Sequence, residues 1–584
     1  MLRTTSLAMF LLAAAAPLAT GACGGPPAPA DPLDEARAML AGFGQRAGLV
    51  LEDDAYGDSA TRLVYLDQGW GPAETLWFYH ADQGSVLMPY AMLVHLEQAD
   101  REAPFIAPDH LARYRLLNQH ATPNNPDALP VGFARHGDAV GLTCAACHTT
   151  QLNYRGTAMR IDGAPAMADV VGLFHGLADA IDATLADEGK LARYAASAPG
   201  TGPLADRIAA ARAALTDAGA FLHSYNAANA STTIEGFGRI DAIGRIVNQV
   251  IRFTSGPEHS VEPNAPASMP FLWDAPRHDY VQWTGFAPNA ETGPLGRNAG
   301  EVIGVFGKVA VQRYATADAA KRGYASTLEG NALVSMENSL YGLEAPAWPE
   351  DVLPAIDRAR AARGQAIYAA QCASCHAVID RDDPHRHVTA MVTALDEVGT
   401  DPTSAMNLAT ARIPTGVLEG AAAWNGGTYG KTEPALRMLF DLVSRSLARQ
   451  PVAGVRTLTA SKLHRLTKTP KQGSYARRSD ADPNAELRAY KARPLDGIWA
   501  TSPYLHNGSV PTLYDLLLPP VQRPARFAVG RLEFDPRKVG HVSDGEAPFV
   551  LDTAVTGNGN GGHLYGTDLA DDDRWALVEY LKTL

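Results

Sequence analysis

Two short cysteine and histidine runs hold the residues of this chain best suited to chemistry. Each run has two cysteines separated by two residues and followed by a histidine: Cys144, Cys147 and His148 in the first, and Cys372, Cys375 and His376 in the second. At this spacing two thiols can bond covalently to one porphyrin while the adjacent imidazole binds its iron. The runs therefore predict two covalently bound c-type haems.

A zinc site and a redox dithiol are the alternative interpretations of such a run. A zinc site needs two further soft ligands for each run, and the chain has only five cysteines. Four of them belong to the two runs, and the fifth is Cys23. The cysteine count therefore favours haem at both places.

The N-terminal segment predicts export. Residues 1–22 combine a basic start, a short apolar core and small residues before Cys23, a pattern typical of a secretory signal peptide. Its end resembles a bacterial lipobox, in which Cys23 would be lipidated and residues 23–32 would form a tether. Thr20 and Gly21 depart from the commonest lipobox, so cleavage after Ala22 without lipidation stays an alternative. We expect a periplasmic protein, or a lipoprotein of the outer membrane or cell surface of a Gram-negative bacterium.

Length and composition predict a large, loop-rich protein. The 584 residues are 46% apolar, carry a net charge of −13 and include 53 glycines and 40 prolines. The negative charge disfavours nucleic acid as a partner, and the glycines and prolines indicate many turns. We expect a mainly α fold with extensive loops and two cytochrome c-like haem domains. The expected division is an N-terminal extension over 33–135, a first haem domain with an insert over 136–345, and a second haem domain over 346–584.

Helical patterns surround both runs. Periodic apolar residues predict helices over 166–198 and 203–223 after the first run. Around the second run, helices are predicted over 357–371 and 571–584. A helix with Gly364 and Tyr368 that crosses a C-terminal helix is typical of a cytochrome c domain, so the second haem suits electron transfer.

The far side of the first iron has no obvious ligand in the sequence. No histidine occurs between His148 and His175, and His175 lies within an amphipathic helical pattern. The sixth position of this iron is therefore expected to be open, as O₂ or peroxide chemistry requires.

Further motifs give the chain a family resemblance. In order, the chain has the first haem run, Asn264-x-Pro266, a Phe-x-Trp-Asp segment that ends at Asp274, Gly293-Pro294, Glu301, the second haem run and a Tyr-x-His-x-Gly segment that ends at Gly508. This order resembles the bacterial di-haem cytochrome c peroxidase and MauG superfamily. Chain length and the run from Gly296 to Val302 look most like its di-haem rubber oxygenases.

The resemblance implies roles for individual residues. Trp273 matches the tryptophan that relays electrons between the haems, with a core aromatic as the alternative. Glu301 falls near the distal acid of the peroxidases, although its spacing from Pro294 is one residue longer than in those enzymes. Phe286 is a candidate for the apolar residue over the open iron, and it also fits a core position. Asn264, Thr501 and Pro503 match positions that hold a calcium ion in the peroxidases.

Two positions depart from the peroxidase pattern. The removable histidine on the first iron is replaced by Ala164, and the distal methionine of the second iron is replaced by Pro520. The candidates for the distal ligand of the second iron are His385, His387, Met391, Met406, Met438, His506 and His563. We favour His563, because its glycine-rich surroundings let backbone pass close to a haem and because it resembles the C-terminal histidine ligand of the rubber oxygenases. His506 is expected to contact the haem without binding its iron.

The haem runs and the family resemblance give three hypotheses about function. The first is a dioxygenase that uses O₂ to cleave C=C bonds of polyisoprene or a related apolar alkene. The second is a peroxidase that uses H₂O₂ and receives electrons from a small cytochrome. The third is an electron-transfer cytochrome in which both irons are six-coordinate.

Overall fold

The computed structural model of the protein describes residues 30–460 and 469–584. The predicted signal peptide, Cys23 and most of the tether lie outside the described residues.

The fold is mixed, which corrects the expectation of a mainly α protein: 38% of it is helical and 15% is in strands. The strands contain at most six residues, too few for their alternating pattern to stand out in the sequence. Eighteen α-helices are described. They are α1 Pro32–Met39, α2 Pro72–His80, α3 Tyr90–His95, α4 Pro108–Leu111, α5 Val170–Ala186, α6 Glu188–Ser197, α7 Leu204–Ala228, α8 Ala242–Thr254, α9 Gly293–Gly304, α10 Ala317–Ala320, α11 Gly330–Ser339, α12 Arg358–Gln371, α13 Leu395–Val398, α14 Thr403–Thr410, α15 Ala435–Leu447, α16 Pro451–Ala460, α17 Leu513–Leu516 and α18 Asp571–Leu581.

Short strands connect the helices. They are β1 Arg62–Tyr65, β2 Met88–Pro89, β3 Phe133–His136, β4 Ala139–Leu142, β5 Thr149–Tyr154, β6 Thr157–Asp162, β7 Arg239–Ile240, β8 Ala267–Ser268, β9 Tyr280–Val281, β10 Ala287–Pro288, β11 Val309–Ala310, β12 Ala325–Ser326, β13 Met391–Ala394, β14 Arg412–Pro414, β15 Thr432–Pro434, β16 Ala489–Ala492, β17 Arg526–Val529, β18 Phe534–Asp535, β19 Gly540–His541 and β20 Phe549–Asp552. Two sheets have three strands, in the orders β1-β6-β5 and β2-β4-β3, and the other described sheets are pairs.

The two helices predicted around the second run pack against each other. Asp357 caps α12 by accepting a hydrogen bond from the Arg360 amide at 3.0 Å. A Cβ at Gly364 would lie 2.0 Å from the backbone oxygen of Ala576 in α18, so only glycine permits this close crossing. The Tyr368 and Tyr580 rings pack beside it with centroids 5.2 Å apart.

The predicted helix over 166–198 is two helices. Asp187 ends α5 and caps α6, because its carboxylate accepts hydrogen bonds from the amides of Gly189 and Lys190.

The N-terminal extension contributes to the packing around both runs. One hydrophobic core joins Leu33 of α1 with Trp273 and with Leu577 of α18. A second core contains the apolar block over 87–96, and Ala146 and Cys147 of the first run pack into it. Within residues 30–460 and 469–584, no helix has the length and apolar character that a membrane crossing requires.

Candidate functional site

The first run forms a tight turn on the wall of a large cavity. Cys144–Ala146 is one turn of 3₁₀ helix, capped by Thr143, whose hydroxyl accepts a hydrogen bond from the Ala145 amide at 3.2 Å. The amides of Cys147 and His148 both donate to the Cys144 carbonyl, at 3.2 and 3.0 Å. This turn places the two thiols and the imidazole on the lining of a cavity whose space, including the part open to solvent, is about 1920 Å³.

The lining of this first cavity is largely apolar. Phe286 lies there, as predicted for a residue near the first haem, and it also packs beside Leu408. Other apolar side chains of the lining are Phe174, Met269, Val302, Phe306, Met336 and Leu340.

Glu301, the predicted distal acid, lies in the same cavity. The Gln282 amide nitrogen donates a hydrogen bond of 2.6 Å to its carboxylate. Burial raises the pKa of Glu301, and the Arg297 charge and the Gln282 hydrogen bond only partly oppose this effect. A carboxyl group in such surroundings holds its proton more strongly than one in water.

The second run borders a second cavity, whose space, including the part open to solvent, is about 1420 Å³. The His376 ring donates from Nδ1 to the Arg493 carbonyl at 2.6 Å, and the Tyr368 hydroxyl donates to the His376 carbonyl at 2.6 Å. Because Nδ1 is occupied in this way, Nε2 is the nitrogen that can bind a metal.

His563 faces His376 across this second cavity. The two ring centroids are 6.2 Å apart, and an imidazole nitrogen binds a metal at about 2.0–2.1 Å. The gap therefore suits one metal atom with a nitrogen on either side, which supports the choice of His563.

A buried arginine ties the His563 loop to the protein. Arg523 donates to the carbonyl groups of Asn560, Gly562 and His563 at 2.6, 2.9 and 3.1 Å. The His563 amide donates to the Val398 carbonyl at 2.7 Å, and His563 has a φ of +47°. These contacts hold a residue that is not glycine in the left-handed backbone region.

One wall is shared by the two cavities. Seven residues line both of them: Ser268, Met269, Pro270, Phe271, Trp283, Lys491 and Arg493. Trp273, the predicted relay, lines neither cavity. Its buried ring stacks on Phe271 with centroids 4.6 Å apart, and its indole N–H donates to the Asp496 carbonyl at 2.8 Å. The Trp273 ring thus lies behind the Phe271 ring, which lines the shared wall. Its role as an electron relay stays a prediction.

The remaining predicted residues divide between the second cavity and its surroundings. His506 lines that cavity, and its ring stacks on Tyr490 with centroids 4.0 Å apart. Thr501 and Pro503 line it too. Asn264 lines neither cavity, and its side-chain oxygen accepts a hydrogen bond from Asn407 at 2.9 Å. The calcium site stays a prediction.

Comparisons with known proteins fit this arrangement. The sequence model of the family described as RoxA-like, cytochrome c-like matches residues 489–528, and that of cytochrome c matches residues 361–440. The uncharacterized protein y4iJ of Sinorhizobium fredii (strain NBRC 101917 / NGR234) is 31% identical over 593 residues, which cover 90% of this chain and 93% of y4iJ. This protein belongs to the y4iJ family, and two parts of its chain match cytochrome c models. The uncharacterized protein y4iM of the same organism is 30% identical over 269 residues, covering 42% of this chain and 52% of y4iM.

The cytochrome c matches imply covalently bound c-type haem, which indicates a haem oxidoreductase. Burial raises the pKa of Cys144 to about 11 and, with the Cys144 and Glu301 charges, that of Cys147 to about 12.

The sequence did not predict three functional candidates: Lys491, Arg493 and Arg523. No sequence motif indicates a role for them. The one local signal is that Lys491 and Arg493 alternate with apolar residues, which in a strand places both side chains on one face.

Proposed function

We propose that this protein is an exported di-haem dioxygenase that uses O₂ to cleave C=C bonds of polyisoprene or a related apolar alkene. One haem would be attached at each run. The first would be the reactive centre, and the second would transfer electrons.

The difference between the two cavities carries this proposal. His376 and His563 face each other across the second cavity, so the two rings would hold an iron between them. In the first cavity, the described lining includes His148 and one further histidine, His278, whose Nδ1 lies 3.2 Å from the Lys491 Nζ. This supports an open position on the first iron.

The residues of the first cavity suit an apolar substrate. Haem bound there supplies an iron that can activate O₂. Burial lowers the pKa of His148 to about 4, so its ring is neutral at pH 7 and has a lone pair to offer a metal. Phe286 and its apolar neighbours exclude water and offer the surface that a hydrocarbon chain prefers.

A peroxidase is the second candidate, and Glu301 favours it. A buried carboxyl group with a raised pKa can donate a proton in general acid catalysis, as cleavage of an O–O bond needs. Gln282 fixes the orientation of this carboxyl group.

Spectra and turnover of the purified holoprotein separate the candidates. We expect one high-spin or O₂-bound haem and one low-spin haem, together with O₂ uptake and carbonyl products over polyisoprene latex. Rapid H₂O₂ turnover with a reduced cytochrome and no latex product would replace the dioxygenase with the peroxidase. Two unreactive low-spin haems would leave electron transfer, with Met269 or Met336 as the ligand to test by substitution with leucine.

Export with a lipid anchor completes the proposal. The basic start, apolar core and small residues before Cys23 support it. Cys23→Ser in the full chain should move the protein from the detergent phase to the aqueous phase while haem content is retained. If the parent protein already partitions into the aqueous phase, cleavage without lipidation is the correct account.

A further inference from the structure

Two cationic side chains lie on the shared wall. Lys491 is in β16, where it pairs with Val392 and its amide donates to the Trp283 carbonyl at 2.7 Å. Arg493 follows two positions later. Lys491 is buried and Arg493 is half-buried, and both line the two cavities.

Neither cation is paired with a carboxylate among the described residues. Lys491 Nζ lies 3.2 Å from His278 Nδ1. Arg493 donates from Nη2 to the Phe271 carbonyl at 2.6 Å, its guanidinium carbon lies 3.5 Å from the Phe271 ring centroid, and its buried Nη1 has no hydrogen-bond partner. The nearby carboxylate of Asp274 is already paired with Arg386 at 2.8 Å.

Such an arrangement is costly unless an anion completes it. Moving a single charged side chain out of water costs several kcal/mol, and an uncompensated buried charge is strongly destabilising. The wall therefore lacks the negative charge that an anion bound in the cavities would supply.

We propose that Lys491 and Arg493 bind the propionate carboxylates of both haems, so that the two cofactors share one cationic site. This inference rests on the proposed presence of a haem at each run. Each haem carries two carboxylates, and a guanidinium presents paired N–H groups that match a carboxylate.

Arg493 also contacts one proximal histidine directly. Its carbonyl accepts the His376 hydrogen bond at 2.6 Å, and its side chain lines the cavity that contains His148. A positive charge beside both cavities affects both reduction potentials, because it favours the reduced iron.

The test uses the full holoprotein and the variants Arg493→Gln and Lys491→Gln. Arg445→Gln is the matched control, since Arg445 is 1% exposed and lines neither cavity. Intact mass first establishes that each protein carries two haems. Resonance Raman bands of the propionate groups and the two midpoint potentials are then measured at one pH.

We expect shifted propionate bands and lower midpoint potentials for both haems in Arg493→Gln, and a shift of the same sign in Lys491→Gln. Arg493→Lys should retain the potentials better than Arg493→Gln, because it keeps the charge. Bands and potentials equal to those of the parent protein and of Arg445→Gln would overturn the proposal. These readouts do not involve substrate: a protein inactive on latex can still show the shifts, whereas a single haem per chain would refute the di-haem proposal itself.

Discussion

The imidazole rings of His376 and His563 face each other with centroids 6.2 Å apart and planes inclined by 57°. The two residues come from very different settings: His376 follows the tight turn of the second run, and His563 lies in a glycine-rich loop. Each ring is anchored by the backbone around it. His376 donates to the Arg493 carbonyl, and the His563 backbone is held by Arg523 and Val398.

Replacing His563 should open the second haem. In His563→Ala we expect that haem to change from low-spin to high-spin, as seen by optical and EPR spectroscopy, while the first haem keeps its spectrum. Added imidazole should restore the low-spin form. His506→Ala is the matched control, because His506 is buried in the same cavity and stacks on Tyr490. If His506→Ala loses the low-spin haem and His563→Ala keeps it, His506 is the iron ligand and His563 is the residue that only contacts the haem.

Arg523 should determine whether His563 stays in place. Arg523→Gln removes hydrogen bonds to three carbonyls of the His563 loop, and we expect a mixture of high-spin and low-spin second haem. Arg523→Lys should give less of the high-spin form, because it keeps the charge near the carbonyl groups. The control is Arg574→Gln: Arg574 donates to the carbonyls of Leu517 and Leu569 rather than to this loop. If the control gives a high-spin signal as large as that of Arg523→Gln, the effect comes from general destabilisation of the protein and not from the His563 loop.

The sequence predicted those parts of the fold that depend on residues close together in the chain. The two haem runs, the crossing helices α12 and α18 and the glycine-rich loop around His563 each have their signal within a few residues. Their positions in the structure agree with those expectations.

The shared wall could not be predicted in this way. Phe271 and Arg493 are far apart in the chain, and their contact depends on how β16 is placed against the segment before Trp273. No local pattern shows that the lysine of a short strand and the arginine that follows the strand line one internal wall. The same limit explains why Trp273 matched a motif yet lies behind Phe271 rather than between the cavities.

Glu301 separates the two enzymatic candidates. For the dioxygenase, Glu301→Gln should keep most of the latex cleavage, because the variant retains a polar group of the same size beside Gln282. Loss of a general acid costs ~10²–10⁴-fold in rate. A loss of that size in H₂O₂ turnover, in a protein that makes no latex product, would establish the peroxidase. Rates with both substrates, measured for parent and variant at one haem concentration, distinguish the dioxygenase from the peroxidase.

Gly364 should be indispensable at the helix crossing. A Cβ there would lie 2.0 Å from the Ala576 oxygen, so Gly364→Ala must push α12 and α18 apart. We expect a loss of about 1–3 kcal/mol or more in unfolding free energy, together with reduced haem attachment at the second run. Gly296→Ala is the control within another helix, where an added Cβ meets nothing within 4 Å, and it should be neutral or stabilising by ~0.5–1 kcal/mol. Equal stability of the two variants would contradict the close crossing.

Asp241 should give the protein a pH-dependent stability. Its buried carboxyl group caps α8 and accepts hydrogen bonds from the amides of Gly244 and Ala265 at 2.8 and 3.0 Å. Burial nevertheless raises its pKa from 3.8 to about 6. Between these values the unfolded chain has released the proton while the folded protein keeps it, so stability falls as pH rises through this window.

The shift corresponds to about 3 kcal/mol of unfolding free energy lost between about pH 4 and about pH 7. Asp241→Asn cannot titrate, so its stability relative to the parent protein should improve by that amount over the same interval in denaturant titrations. Asp187→Asn gives a contrast of opposite sign. Hydrogen bonds from Lys190 and Gly189 lower the pKa of this exposed cap, so the parent protein should gain stability over the variant as pH rises through the acidic range. A pH-independent difference between Asp241→Asn and the parent protein would show that the Asp241 carboxyl group titrates alike in the folded and unfolded chain.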